Sequence, residues 1–499
     1  MYRGIRKEYK KEFFYKAKRF FAEFSPAGGW TVPKPWRNFV YCLLLAPNYF
    51  CFRLLCLLPK KTYAKKVGVR ILGLKLKYKN GRCKCSEVQM LFIGEPYIAQ
   101  NGDRSRLVCD IGINRRETRT VWFEVDREYE KYLCTERSDA YVIGLLSWAM
   151  RAGHDITCTA PVSEELLYAL REYLIPSLVK YAPFFRAVEI NAPAAGTPLA
   201  NAGAVGTGLS CGIDSFHVIS RQLASPYKTL NLTHLCINNV GAFNGCYGEY
   251  GIEKARRERY QISQRVAKEL GLPLIATDSN FQTAFKQNHS HTHTYSSMFA
   301  VFCLQKLWGT YFYASSGYDF NFFTLDNHAN EDSSHYELLS LGCFSTRGLK
   351  IYSEGGAYTR LEKTAHIAGF DYARRYLHVC TRKSTNCGRC PKCMRTLLML
   401  DALGRLDDFR EVFDVDYYRA HRKDYLLWLY EMHKKKDVMN EPTYRLLKKE
   451  MTPAVKGRYR LNVLLRRLWP FLTIDERYVK IRIFFIKISF RRKHGGAHD

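Results

Sequence analysis

The chain has 499 residues, 47% of them hydrophobic, which is length for about three domain-sized units and apolar content enough to bury their cores. Its formal charge of +30 is concentrated at the ends: residues 1–80 hold 19 Lys/Arg against 3 Asp/Glu, and residues 445–499 hold 15 against 4. A near-neutral middle with two basic ends argues against a catalytic body built on nucleic acid, and 17 cysteines diluted over this length argue against a disulfide scaffold.

Residues 4–24 place Ile5, Tyr9, Phe13, Ala17, Phe20 and Phe24 on one helical face ringed by Lys and Arg. That is the pattern of an interfacial membrane helix, or equally of a helix packing its stripe on its own protein. Residues 39–58 form a second apolar run, broken by Pro47, Asn48 and Arg53 and followed by PKKTYAKK, which reads as two short interfacial helices rather than one spanning helix. Aromatics and leucines beside lysines favour an anionic membrane surface, with nucleic acid the weaker alternative. No cleavable signal peptide is read, since a long charged segment precedes the first apolar run, and the scattered thiols fit a reducing interior. Residues 1–67 are thus expected to be a basic, membrane-associating segment of a cytoplasmic protein, peripheral on the inner face of the membrane.

Residues 69–132 alternate in short segments, 106–113 and 120–125 among them, and predict a β-rich module. Next come a helix over 138–152, a strand over 155–160, a helix over 163–181 with Pro176 inside it, and a strand over 187–192. The Ala-, Pro- and Gly-rich stretch 192–203 is the expected linker, so that 68–200 make an accessory domain.

Residues 204–224, AVGTGLSCGIDSFHVISRQLA, read as a buried strand, a tight turn and a helix start. Phe216, Ile219 and Leu223 recur at helical spacing behind Ser210, Cys211, Gly212, Ile213, Asp214 and Ser215. A helix start with unpaired N–H groups, a glycine and two hydroxyls is suited to phosphate. No Gly-Lys-Ser/Thr follows, so this is not a Walker A loop. Strands at 232–240, 274–277 and 311–315, alternating with helices at 252–270 and 295–307, predict a doubly wound parallel sheet with ligands at the carboxyl ends of its strands. The loops after Val240, beginning at Gly241, after Asp278 and after Ser316 should border the same pocket.

Cys380, Cys387, Cys390 and Cys393 lie within fourteen positions, the last three spaced C-x2-C-x2-C. Four thiolates close a tetrahedral site, for which zinc is favoured over an iron–sulfur cluster. His289, His291 and His293 alternate in HSHTHT and read as a polar loop before a helix rather than as metal ligands. Residues 315–319 suit substrate or ribose or a structural turn, and 327–332 fall in a long loop that could form a lid.

The loop at 210–215 resembles the PP-loop, SGGxDS, of the N-type ATP pyrophosphatase superfamily: Ser210, Gly212, Asp214 and Ser215 match, and Cys211 stands at the first glycine. With Thr359, Arg360 and Glu362 downstream, then Cys380, Cys387, Cys390 and Cys393, and Arg395 one position before the family's final arginine, residues 204–403 resemble 7-cyano-7-deazaguanine synthase and its relatives. Gly245, Glu253, Arg256 and Arg257 fit that pattern more loosely, and residues 1–200 and 405–499 fall outside it.

The resemblance implies an adenine nucleotide alpha hydrolase-like fold for 201–404, with Zn2+ in its wall and ATP and Mg2+ at its loop. It implies attack of a substrate carboxylate on the α-phosphate, giving an adenylate and pyrophosphate, then capture by ammonia or another amine. Ser210, Gly212 and Ser215 would hold the pyrophosphate, Val240 and Gly241 would border the nucleotide, and Arg360 or Lys363 would serve as the mobile cation. Asp214 would hold Mg2+ through water or cap the helix. No glutaminase signature is present, so ammonia would come from solution or a partner. The expected acceptor is a small-molecule or glycan- or lipid-linked carboxylate. The alternatives are a deazapurine synthase and a nucleotide-sensing or defence module without turnover. Residues 405–499 read as a basic helical extension, and a homodimer is left open.

Overall fold

The computed structural model describes residues 89–114, 116–243, 251–316 and 331–466, and outside these the backbone of several strands and of one helix end. The chain divides into two compact units, Met1–Val88 and Gln89–Asp499. In the first, β1 (Val67–Ile71), β2 (Leu74–Lys79) and β3 (Arg82–Glu87) form an antiparallel meander, with Val67 opposite Tyr78 and Leu74 opposite Glu87. The stretches 4–24 and 39–58, expected at a membrane surface, lie outside the described residues.

The second unit opens with β4 (Met90–Ile93), β5 (Tyr97–Asn101), β6 (Arg104–Ile113) and β7 (Glu117–Asp126). Their alternation is the strand period made visible: Leu107, Cys109 and Ile111 on β6, and Val121, Phe123 and Val125 on β7, are all buried. Next come helix α1 (Asp139–Ala152) and β8 (Asp155–Cys158). Short β9 (Val162–Ser163) pairs with β11 (Ala194–Ala195), and β10 (Ile190–Asn191) with β8. The helix expected over 163–181 forms in pieces, Glu164–Tyr168, a wide π-type turn Ala169–Leu174 and Ile175–Tyr181. The widened turn directly before Pro176 accommodates a ring that lacks an N–H and crowds the preceding turn.

The rest of the sheet is β12 (Ala204–Gly208), β13 (His234–Asn238), β14 (Leu274–Ser279), β15 (Trp308–Ala314) and β16 (Lys350–Glu354). In the order β14-β13-β12-β15-β16 these five are parallel. On the far side of β14, β7 pairs antiparallel, Glu124 opposite Asp278, and continues the same sheet through β6, β4, β8 and β10, with β5 on β6. The protein is therefore α/β with one large mixed, mostly parallel sheet.

Helices between the parallel strands are α2 (Ile213–Leu223), α3 (Ile252–Glu269) and α4 (His289–Cys303). α4 packs on α1, and Phe299 of α4 stacks at 4.2 Å on Phe281, which follows β14 in a short helix, Phe281–Ala284. A Cβ on Gly144 would come within 2.7 Å of the Phe281 ring, so that close approach needs glycine. The HSHTHT stretch, expected as loop, is the first turns of α4, started by Asn288, whose side chain accepts from Ser290 N. Beyond β15 lie α5 (Glu337–Phe344), α6 (Arg360–Ile367) and α7 (Pro391–Ala402). The C-terminal part contains α8 (Val415–Lys434) and α9 (Pro453–Leu468), followed by a meander of β17 (Phe471–Ile474), β18 (Tyr478–Ile483) and β19 (Ile486–Arg491).

Candidate functional site

The turn from β12 into α2 lies at the carboxyl end of the central strand. Cys211 has φ +55°, the left-handed region where glycine is at ease, and Gly212 is the extended N-cap of α2. The residue at the first-glycine position thus keeps a glycine's backbone shape. Its thiol turns inward, fully buried, with Sγ 3.9 Å from Ser263 Oγ, and burial raises its pKa. Ser210 is exposed; its Oγ accepts from Gly212 N and donates to Ser215 Oγ, both at 3.3 Å. Ile213 is buried in the core behind the turn, and Ser215 Oγ donates to Gly212 O at 3.1 Å. The first-turn N–H groups of Ile213, Asp214 and Ser215 have no intrahelical acceptor and carry the positive end of the helix dipole.

Asp214 does not cap α2. Its carboxylate takes Arg360 Nη1 at 2.9 Å on one oxygen and Lys363 Nζ at 3.3 Å on the other. Burial would raise the Asp214 pKa, but these two cations hold it below the usual carboxylate range. Lys363 is completely buried, which pulls its ammonium below the ordinary lysine value against the attraction of Asp214. Both cations sit in the first turn of α6, where the dipole disfavours positive charge, so their placement needs local support. Thr359 and Glu362 supply it as a capping box, Thr359 Oγ1 accepting from Glu362 N and Glu362 Oε2 from Thr359 N.

A second support comes from the end of β15. Lys363 Nζ donates to Ser315 O at 2.9 Å and Arg360 Nη2 to Ser316 O at 2.7 Å. The carboxylate of Glu337, 1% exposed, holds this turn by accepting from Ser315 Oγ at 2.7 Å, Ser316 N at 3.1 Å and Ser316 Oγ at 2.9 Å. Burial raises its pKa. Arg259 of α3, 4% exposed, donates from Nη2 to Ser210 O, while its Nη1 is buried without a hydrogen-bond partner among the described residues. Neither residue stands out in the sequence: Arg259 is one of many basic side chains on α3, and Glu337 lies more than a hundred positions beyond the loop, in no motif.

After β13, Val240 is buried in the apolar core, and Gly241 has φ +115° with a would-be Cβ 2.4 Å from Gln282. Asn239 Nδ2 donates to Asp278 Oδ1 at 2.7 Å, and Arg256 pairs with Asp278 and Glu253, so the β13 and β14 ends are tied together. His293 bridges Tyr313 Oη at 3.1 Å and Asp332 at 3.2 Å, whereas His291 pairs with Glu331. Burial, with the charges of His293 and Lys392, pushes His289 down to about 3.

The sulfurs of Cys380, Cys387, Cys390 and Cys393 all lie within 4.8 Å of one another. Backbone N–H groups point at them: Arg382 N and Lys383 N at Cys380 Sγ (3.3 and 3.4 Å), Cys390 N at Cys387 Sγ (3.3 Å) and Cys393 N at Cys390 Sγ (3.5 Å). Such a group could hold a metal ion. It is joined to the loop, because His378 N, two residues before Cys380, donates to Cys211 O at 2.8 Å. Lys392, flanked by Cys390 and Cys393, adds its positive charge to the field at Asp214.

A small cleft lined by Ser163, Glu165, Gly196, Asn201, Arg347 and Gly348 lies at the other end of the sheet, before β12 and β16. Among the described residues no helix is long and apolar enough to cross a membrane. No protein-family model, curated protein or solved structure matches the chain.

Proposed function

We propose that residues 201–404 form a doubly wound PP-loop ATP pyrophosphatase that adenylates a carboxylate, releasing pyrophosphate. The observation that carries this reading is the convergence of Arg360 and Lys363 on Asp214, in the first turn of a helix whose start carries the SxGxDS hydroxyls and unpaired N–H groups. The N–H groups of the α2 start with Ser210 and Ser215 would take the departing pyrophosphate, and buried Arg259 raises the positive potential beneath them. Arg360 is tied to Asp214 and Ser316 O and Lys363 to Asp214 and Ser315 O, so the two would present fixed positive charge beside the loop, with Arg360 the more exposed of the pair. Mg2+ when bound would supply neutralisation of the phosphate oxygens. Zinc fits the four thiolates, since a tetrahedral ion with bonds of about 2.3 Å sets sulfurs roughly 4 Å apart.

Pyrophosphate release from ATP, measured with a panel of carboxylic acids that includes 7-carboxy-7-deazaguanine and sugar acids, tests the proposal. Turnover on any one acid that falls about 100-fold in Arg360→Ala supports it and identifies the acceptor class. Turnover on 7-carboxy-7-deazaguanine alone selects the deazapurine synthase. ATP binding without turnover on any acid selects the sensor and overturns the enzymatic reading.

A further inference from the structure

We infer that α9 is a docking face for an anionic lipid surface. On this helix Val455, Tyr459 and Arg466 face α8: Tyr459 packs edge-on against Tyr430 at 5.2 Å, Arg458 pairs with Asp424 and Arg466 with Glu431, both at 2.7 Å. At 100° per residue the opposite arc holds Leu461, Leu464 and Leu465, an i, i+3, i+4 set. These three are 53%, 49% and 53% exposed, although each is a residue type that ordinarily buries. Lys456 and Arg460 flank the arc on one side and Arg458 on the other. The helix carries five Lys/Arg and no acid, within an end whose charge is 15 basic against 4 acidic.

Charge and apolar surface together choose the occupant. A second copy of the chain would bring one basic helix against another and be repelled. A phosphodiester backbone would satisfy the arginines but leave three leucines in water. An interface of anionic headgroups over acyl chains meets both demands: the leucines enter the acyl boundary while Lys456 and Arg460 stay at headgroup level. This inference stands on α9 alone and is independent of the nucleotide chemistry.

The test uses the full chain with vesicles of phosphatidylcholine alone or with about one third phosphatidylglycerol, followed by hydrogen–deuterium exchange and sedimentation. With anionic vesicles the amides of residues 460–466 should gain protection of about tenfold or more, and with neutral vesicles none. Replacing Leu461, Leu464 and Leu465 by Ser should remove that protection and weaken binding about tenfold at a salt concentration that screens the charges, while the melting temperature holds. Because residues 1–80 are also basic, vesicle binding with unchanged exchange in α9 would overturn the inference. So would protection of α9 in vesicle-free solution that rises with protein concentration, which would assign the face to self-association.

Discussion

Asp214 and Lys363 form an ion pair in which the acid is partly exposed and the lysine has no contact with solvent, Nζ standing 3.3 Å from Oδ1. The pair joins the first turn of α2 to the first turn of α6, and Ser315 O completes the lysine's shell at 2.9 Å. A buried ammonium costs several kcal/mol unless it is paired, so the acid is the reason the lysine can be there at all.

Asp214→Ala should accordingly destabilise the protein by about 3–5 kcal/mol by leaving Lys363 unpaired, whereas Asp214→Asn with Lys363→Met should lose much less. Urea unfolding of the single and double variants measures the coupling. The double variant should nonetheless release no pyrophosphate from ATP.

Cys211 offers a sharper comparison. Its φ of +55° suits glycine and excludes β-branched side chains, so Cys211→Gly should keep nucleotide binding and Cys211→Val should lose it, with a stability cost of about 1–3 kcal/mol. Isothermal titration with ATP beside thermal melts reads both effects. Equal behaviour of the two variants would show that the turn's shape is not needed.

Metal removal should act at a distance. Zinc content near one per chain is expected, and chelation or Cys390→Ser should lower the melting temperature, because binding free energy at such a site is folding free energy. The bond from His378 N to Cys211 O predicts that hydrogen exchange at residues 211–216 rises together with that loss.

Acidity should weaken the fold through His217. Burial, with the charges of Lys363 and His366, pushes it down to about 3, and neither ring nitrogen has a hydrogen-bond partner among the described residues. An unfolded histidine titrates near 6.5, so its contribution is complete above that pH and is lost as pH falls from about 6.5 towards 3. Denaturant midpoints between pH 7.5 and 5 should fall in the wild type and fall less in His217→Phe.

Four of the five parallel strands around the loop were legible because each carries a short apolar run bounded by polar turns, and the thiol group because its spacing is local; β16 was not, since in KIYSE only Ile351 is buried. The antiparallel joint between β7 and β14 was not, since Glu124 and Asp278 are 154 positions apart and no local pattern records their pairing. The same reason hid Arg259 and Glu337, whose importance comes only from what lies across the fold. The early start of α4 was masked by composition: histidines, serines and threonines read as loop until Asn288 supplies the cap and α1 the packing surface. Thr359 and Glu362 are a different case, recognised with a nucleotide motif yet engaged in starting a helix and aiming its two cations.

That joint between β7 and β14 also bears on how the molecule can be cut. A fragment starting near residue 201 would keep the loop, the cations and the four thiols but strip β7 from the flank of β14, uncovering the backbone that Asp278 and Ser279 pair with Glu124 and Phe123 and leaving β14 as an open edge. Such a raw flank recruits strands from neighbouring molecules, so the shorter piece should precipitate or form fibrils while retaining every residue of its chemistry.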